Sequence, residues 1–197
     1  MRSSFAVLLT LALSAFAAPT SDVSIQACSA VTVYFARGTN ESGTIGTRVG
    51  PQFKAALQSA LGGKSLEFIG IDYPATIWGF LAGGDAGGAT TMANSVTSKA
   101  SSCPSTKIVI SGYSQGAQVA HLAAGKMSAT VQNRVNAAVV FGDPYNGQPF
   151  AGVIAGRSKT FCHDGDFICT GGILVTDAHT NYDQDVGAAA AFVAPRV

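Results

Sequence analysis

A serine stands where an apolar run meets a helical pattern in residues 107–125, KIVISGYSQGAQVAHLAAG. Gly112 and Gly116 lie two residues to either side of Ser114. A strand that hands over to a helix so abruptly strains the residue at the apex, and glycines are needed where side chains would collide with the strand or the helix. Such a turn lifts the Ser114 hydroxyl above a sheet edge. It also sets the Gln115 N–H at a helix N-terminus, where it can stabilise an oxyanion.

Strand and helix patterns alternate along the rest of the chain. The apolar runs predict strands at 30–36, 66–71, 108–111 and 135–141, with a fifth at 159–161. Helical spacing predicts helices at 48–61, 89–101, 115–126 and 182–194. Continuously apolar strands separated by helices are typical of a parallel sheet that is covered on both faces. The sequence therefore predicts one α/β domain with a doubly covered parallel sheet.

The first 17 residues have the pattern of a secretory signal peptide. Arg2 precedes an apolar run, and Ala15-Phe16-Ala17 fits a small-x-small cleavage site. The apolar run is too short to span a membrane. We therefore expect a secreted, extracellular protein in which residues 1–17 are removed, 18–27 form a short N-terminal segment and 28–197 form the domain.

Four cysteines in an oxidising compartment predict two disulfides. Three pairings are possible, but Cys162 and Cys169 are close in sequence, which favours a local bridge and leaves Cys28 with Cys103. No C-x-x-C pair is present, so we expect no metal site and no cofactor. With 12 basic and 11 acidic residues the chain has no basic excess, and we expect no nucleic-acid partner.

A serine nucleophile needs a base, and the base needs an orienting acid. His121 lies seven residues beyond Ser114 on the same predicted helix, so it cannot reach back to that hydroxyl. His163 lies inside the small cysteine loop, whereas His179 lies in a late loop before the last helix. In α/β-hydrolase sheets the chain order is serine, acid, histidine, with the histidine late, and this favours His179 as the base.

Several aspartates lie between the serine and that histidine. Asp166 is our preferred acid, because a small disulfide ring would hold its carboxylate rigidly and the apolar pair Phe167-Ile168 would help to exclude water. Asp143 follows a predicted strand and remains the alternative. Asp177 is only two residues from His179 and would have difficulty turning to face it.

Taken together, these motifs resemble the cutinase family of serine esterases. The resemblance rests on GYSQG, on FARGT after the first strand, on CPSTKIVISGYSQGAQ, and on the C-x6-C loop whose aspartate precedes a late histidine. It covers nearly the whole chain from Cys28 to the final helix. It implies a three-layer α/β-hydrolase with a central five-stranded parallel sheet, no lid and a site open to solvent. It also implies the disulfides Cys28–Cys103 and Cys162–Cys169.

The resemblance implies a catalytic triad of Ser114, Asp166 and His179. It assigns the oxyanion hole to the backbone N–H groups of Thr39 and Gln115, with the Thr39 hydroxyl as a third donor. Many fungal members carry Gly-Asp-Asn-Ala after the second strand, and that asparagine steadies the oxyanion hydroxyl. The corresponding stretch here, YPATIWGFLAGGDAGG, contains no asparagine. The sequence therefore leaves the support of Thr39 unassigned.

The expected activity is hydrolysis of cutin and of short- to medium-chain acyl esters through an acyl-enzyme. The expected partner is a polyester or small-molecule ester, and we expect a monomer. An acetylxylan esterase or another short-chain esterase of the same fold is the alternative, and a tight pocket for acetyl would favour it. A secreted binding or elicitor protein that has lost catalysis is a third possibility, of a different class.

Overall fold

The structure is a computed structural model that describes Met1 and residues 27–197. Apart from Met1, the predicted signal peptide lies outside the described residues, and so does the segment 18–26. Among the helices of residues 27–197, none has both the length and the hydrophobicity that crossing a bilayer requires.

Five parallel strands form one sheet, as the sequence predicts. They are β1 (Val31–Ala36), β2 (Leu66–Gly70), β3 (Lys107–Tyr113), β4 (Val135–Phe141) and β5 (Ser158–Phe161). Their order across the sheet is β2-β1-β3-β4-β5, and every neighbouring pair is parallel. Because the strands are parallel, all their carboxyl ends meet at one edge, where ligands bind in open α/β sheets.

Helices cover both faces of this sheet. They are α1 (Gly50–Ala60), α2 (Ile77–Leu81), α3 (Ala86–Ser102), α4 (Gln115–Lys126), α5 (Ala129–Gln132), α6 (Asp177–Thr180) and α7 (Val186–Val193). One core cluster joins the strands to α3 and α4, and a second joins them to α1 and α7. Apolar side chains of β1 and β3 alternate between the two clusters, which is why both strands are predominantly apolar. The result is the expected three-layer architecture.

The long elements lie where the sequence predicts them, and the differences are at their ends. Helix α3 begins three residues earlier than predicted, because Asp85 caps it by accepting the Gly88 N–H at 2.6 Å. The last helix begins at Val186, since Tyr182–Asp185 forms a 3₁₀ turn instead. Helices α2, α5 and α6 were not predicted. Each has only four or five residues, too few to show a helical period.

Both disulfides form as expected, Cys28–Cys103 and Cys162–Cys169. The first joins residues 75 apart and ties the segment before β1 to the end of α3. The second joins residues only seven apart and closes a short loop after β5. In chain-entropy terms the long bridge stabilises the fold by about 4 kcal/mol and the short one by about 2.

Helix α4 packs so closely on β1 that its first turn requires glycine. A methyl group on Gly116 would overlap the carbonyl oxygen of Ala36 and would lie 2.7 Å from that of Arg37. Both obstacles are backbone atoms, so they cannot move aside as a side chain can. Gly125, near the other end of α4, has nothing within 4 Å of the same position.

These two glycines of one helix predict opposite effects of the same substitution. We expect Gly116→Ala to lower the free energy of unfolding by about 3 kcal/mol, because the added methyl group overpacks the α4–β1 contact. We expect Gly125→Ala to raise it by roughly 0.5 kcal/mol, because alanine loses less backbone entropy in a helix. Chemical denaturation followed by circular dichroism measures both variants. Equal effects of the two substitutions would contradict this account of the packing.

Candidate active site

Ser114 sits on the strained turn that the glycine spacing predicts. Strand β3 ends at Tyr113, α4 begins at Gln115, and Ser114 between them has φ 57° and ψ −122°. Its N–H donates to the carbonyl of Phe141 on the neighbouring strand at 2.9 Å, which fixes the turn to the sheet. A non-glycine residue holds a positive φ only when its surroundings impose it, and such positions are concentrated at functional sites.

The three residues predicted as a triad are brought together by the fold. His179 Nε2 lies 2.9 Å from Ser114 Oγ, and His179 Nδ1 lies 2.8 Å from Asp166 Oδ2. The side chains of His179 and Asp166 are 3% and 0% exposed, so both hydrogen bonds lie out of bulk water. Since the carboxylate can only accept, it fixes the imidazole tautomer with the proton on Nδ1 and leaves Nε2 facing the hydroxyl.

The His179 imidazole lies in a slot that β3 and β4 shape. The Tyr113 ring stacks on it at 5.3 Å between centroids, and the Tyr113 hydroxyl donates to the His179 carbonyl at 2.8 Å. Burial raises the pKa of Tyr113, so this hydroxyl stays protonated and continues to donate. On the other side, Gly142 has φ +54°, and a Cβ there would come within 2.8 Å of the ring. The slot therefore constrains both the plane and the position of the ring.

The Asp166 carboxylate is fully engaged. Its Oδ1 accepts the Ile168 N–H at 2.9 Å, and its Oδ2 accepts the Tyr182 hydroxyl at 2.6 Å besides the His179 ring. Burial raises the pKa of Tyr182, and the hydrogen bond to Asp166 raises it further, so Tyr182 remains a donor. Of the pair Phe167-Ile168 that we expect to exclude water, only Ile168 is buried, whereas Phe167 is 49% exposed. Tyr182, which donates to the carboxylate, is buried as well.

Asp143, the alternative acid, belongs to another pair. It is fully buried at the end of β4, but its Oδ2 lies 3.0 Å from Nε2 of His121 and its Oδ1 accepts the Tyr145 N–H. The His121 ring stacks on Phe150 at 3.7 Å. His121 is therefore a packed residue of α4, and it pairs with the carboxylate that was the alternative to Asp166.

The loop after β1 brings Thr39 next to Ser114. Arg37 and Glu41 hold this loop. The Arg37 guanidinium donates to the Tyr73 and Glu41 carbonyls, and the Glu41 carboxylate accepts the N–H groups of Gly38, Thr47 and Arg48. In the part of the chain that the structure describes, neither the Thr39 nor the Gln115 N–H donates to a protein group. Both N–H groups are therefore free to bind a ligand.

The Gln115 side chain supplies the support for Thr39 that the sequence left unassigned. Its Nε2 lies 2.8 Å from the Thr76 carbonyl and 2.9 Å from Thr39 Oγ1. A carbonyl only accepts, so the amide nitrogen must face Thr76, and its second N–H then points at the Thr39 hydroxyl. Because Thr39 Oγ1 accepts this hydrogen bond, the proton of the Thr39 hydroxyl points away from Gln115 and can be donated to another group. No sequence signal marks this contact, because it joins residues 76 positions apart.

A crevice of about 230 Å³ opens above Ser114. One wall is apolar and is formed by Ile77, Phe80, Ile168, Ile173 and Val175. Polar residues complete the lining, namely Thr39, Asn40, Glu41, Arg48 and Thr180. Next to the apolar lining residues along the chain, Trp78, Leu81 and Leu174 are 75%, 53% and 61% exposed, and we call these three the exposed rim. Of the large apolar side chains on α2, only that of Phe80 is buried.

No group of three or more His, Cys, Asp or Glu side chains in residues 27–197 is arranged to hold a metal ion. The chemistry that the described residues offer is that of a buried carboxylate, an oriented imidazole and a hydroxyl beside two free N–H groups. This arrangement is suited to acyl transfer.

Proteins of similar sequence and structure are known. The sequence profile of the family described as Cutinase matches residues 27–197. A cutinase of Botryotinia fuckeliana is 57% identical over 185 residues, which are 94% of this chain and 92% of that protein. The solved structure of Trichoderma reesei cutinase with a C11Y4 phosphonate inhibitor has a TM-score of 0.83 and 46% identity. That match covers 86% of this chain and 77% of the other.

A solved acetylxylan esterase is also similar, with a TM-score of 0.70 and 28% identity over 86% of this chain and 99% of the other. Both solved relatives are esterases of α/β-hydrolase fold, the architecture described above. The family match spans all but the first 26 residues. The chain belongs to the cutinase family of serine esterases.

Proposed function

We propose that this protein is a secreted, monomeric carboxylesterase that hydrolyses cutin and short- to medium-chain acyl esters. Ser114 is the nucleophile, His179 the base and Asp166 the orienting acid. The observation that carries the proposal is the continuous chain of hydrogen bonds from Ser114 Oγ through His179 to Asp166, at 2.9 and 2.8 Å. Each of these contacts is within the reach that proton transfer requires.

The reaction follows from the order of these groups. Ser114 Oγ attacks the ester carbonyl carbon while His179 Nε2 takes the hydroxyl proton. The tetrahedral intermediate then expels the alcohol, to which His179 returns that proton, and an acyl-enzyme remains. Water attacks the acyl-enzyme with His179 again as the base, releasing the carboxylic acid and restoring Ser114. Asp166 stays ionised throughout and stabilises the imidazolium that forms in each half-reaction.

Charge on the carbonyl oxygen is held by the N–H groups of Thr39 and Gln115. The Thr39 hydroxyl adds a third hydrogen bond, because the Gln115 amide occupies its oxygen as an acceptor and leaves its proton free. Glu41 and Arg37 hold the loop before substrate arrives, so no reorganisation of the loop is needed during the reaction.

The crevice supports an apolar polyester as the substrate. Its apolar wall would take the acyl chain, and the exposed rim of Trp78, Leu81 and Leu174 would lie against an insoluble surface. Parts of the wall are themselves open to solvent, since Ile173 and Val175 are 73% and 58% exposed. A chain longer than the crevice can therefore leave along this side. The relative with a phosphonate inhibitor is named as a cutinase, which agrees with this assignment.

Hydrolysis of acetylated xylan is the second candidate, and the similarity to acetylxylan esterase favours it. The two candidates differ in what the crevice must hold. An acetyl-specific enzyme needs a closed pocket that excludes longer chains, whereas part of the apolar wall here is open to solvent.

The role of Ser114 as nucleophile can be tested by removing its hydroxyl. We expect Ser114→Ala to abolish hydrolysis of soluble p-nitrophenyl esters and covalent labelling by a phosphonate, because the attacking oxygen is gone. Ser111→Ala is a matched control, since Ser111 is buried on the same strand and its hydroxyl has no protein partner within residues 27–197. That control should label stoichiometrically, as the parent does. Mass spectrometry measures the adduct, and an unlabelled parent would exclude catalysis and favour a binding protein.

The support that Gln115 gives to the Thr39 hydroxyl can be tested by substituting each residue. We expect Thr39→Val to lower kcat about a hundredfold by removing a donor, and Gln115→Leu to lower it roughly tenfold while keeping its backbone N–H. The double variant should be no slower than Thr39→Val alone, because both changes remove the same hydrogen bond. Gln118→Leu, which removes another buried amide from α4, is the control and should keep the parent kcat. Additive losses would contradict the assigned role of Gln115.

The preferred acyl chain length distinguishes the two candidate substrates. We expect rates on p-nitrophenyl esters to peak at chains of several carbons and to fall towards palmitoyl, with release of monomers from cutin. Because the crevice above Ser114 is open to solvent beside Ile173 and Val175, we also expect no jump in rate above the substrate's micellar concentration. Activity confined to acetyl esters, with none on cutin, would favour the acetylxylan assignment instead.

A further inference from the structure

His163 lies outside the triad, yet its side chain joins the two segments that supply the acid and the base. It precedes Asp166 by three residues, and its carbonyl accepts the Asp166 N–H at 3.1 Å. Its Nδ1 lies 2.9 Å from the carbonyl of Ala178, the residue immediately before His179. Its Nε2 lies 2.6 Å from Oδ2 of Asp185, on the turn that follows His179.

The partners of this ring require it to be doubly protonated. The Ala178 carbonyl can only accept, so Nδ1 must carry a proton, and the Asp185 carboxylate can only accept, so Nε2 must carry one too. Burial lowers the pKa of His163, but the hydrogen bonds to Ala178 and Asp185 and the negative charge of Asp185 outweigh burial and raise it. The Asn181 amide oxygen, 2.9 Å from Nδ1, adds a further acceptor.

Tyr182 connects His163 to the triad carboxylate by a second route. The His163 ring stacks on the Tyr182 ring with 4.1 Å between centroids, and the backbone N–H of His163 donates to the Tyr182 hydroxyl at 3.0 Å. That same hydroxyl donates to Asp166 Oδ2 at 2.6 Å. Displacement of His163 would therefore disturb both the loop of Asp166 and one of the donors on its carboxylate.

We propose that His163, as an imidazolium ion paired with Asp185, is a positioning residue that holds the Asp166 loop against the segment carrying His179. The inference rests on the proposed function, because it assigns a role through the Asp166–His179 hydrogen bond. The pair is about one-quarter exposed on each side, with 26% for His163 and 23% for Asp185, so solvent protons reach it. The short disulfide closes the loop covalently, and the ion pair holds that loop against the segment that contains His179 and Asp185.

The pairing makes the site sensitive to alkaline pH. A group whose pKa is raised by folding stabilises the fold fully below its unfolded value, about 6.5 for histidine. That stabilisation is lost as the pH rises through the raised value. The titratable groups on the loop of His163 and on the facing segment are Asp164, Asp166, Asp177, His179, Tyr182, Asp183 and Asp185. Apart from His179 and the protonated Tyr182 these are all carboxyl groups, and Asp185 is the one whose charge raises the pKa of His163.

The experiment compares His163→Gln and Asp185→Asn with His121→Gln. His121 is the matched control, because it also pairs with an aspartate, at 3.0 Å, but that pair makes no hydrogen bond to the triad. Active sites are first titrated with a phosphonate, and kcat and KM per titrated site are then measured on a soluble ester across pH. Thermal unfolding of each variant is followed over the same pH range.

We expect His163→Gln and Asp185→Asn each to lower kcat per titrated site by about tenfold with KM unchanged, because a slightly misplaced base slows proton transfer but not binding. The double variant should be no slower than either single variant. The parent should lose kcat and thermal stability as the pH rises through the raised pKa of His163, and both variants should lack that decline. His121→Gln should keep the parent kcat and pH profile even if its melting temperature falls.

Two results would overturn the proposal and can be told apart. If the parent labels with phosphonate but His163→Gln keeps the parent kcat and pH profile per titrated site, His163 is only structural and the proposed function stands. If the parent neither labels nor hydrolyses esters, both proposals fail together. If His163→Gln does not fold, the same measurements on Asp185→Asn test the proposal. Asparagine is isosteric with aspartate, and this substitution leaves the His163 ring stacked on Tyr182.

Discussion

The strained turn at Ser114 is the constraint on which the rest of the site depends. Its positive φ is held because α4 begins immediately after β3 and packs against the backbone of β1 through Gly116. The same close contact brings the loop after β1 next to the start of α4, so that Thr39 meets the Gln115 side chain. The proposed nucleophile, the helix N-terminus and the proposed oxyanion loop are therefore positioned by one packing arrangement rather than by three separate ones.

The proposed acid and base, Asp166 and His179, lie late in the chain, and they are held by contacts of their own. Asp166 sits in a disulfide loop and accepts three hydrogen bonds, while His179 lies in a slot between the Tyr113 ring and Gly142. Buried carboxylates are stable only when their acceptors are satisfied, and this one is. Rigidity here matters because small displacements of a catalytic base reduce rates strongly.

Sequence alone predicted the parts of the molecule that local patterns encode. Apolar strands and helical spacing located the sheet and its longer helices, and the chain order of Ser114, Asp166 and His179 identified residues that the fold brings together. Cysteine spacing predicted both disulfides. What it could not predict are contacts between distant side chains. No periodic or local pattern in the sequence indicates three of these contacts: the Gln115–Thr39 hydrogen bond, the Asp143–His121 pair and the His163–Asp185 pair.

The central claim is that Ser114 forms the acyl-enzyme while two N–H groups hold the oxyanion. A crystal structure of the protein after reaction with an alkyl phosphonate tests it most directly. The account predicts phosphorus bonded to Ser114 Oγ, with the phosphoryl oxygen within hydrogen-bond distance of the N–H groups of Thr39 and Gln115 and the alkyl chain along Ile173 and Val175. An adduct on another residue, or a phosphoryl oxygen turned away from both N–H groups, would contradict it.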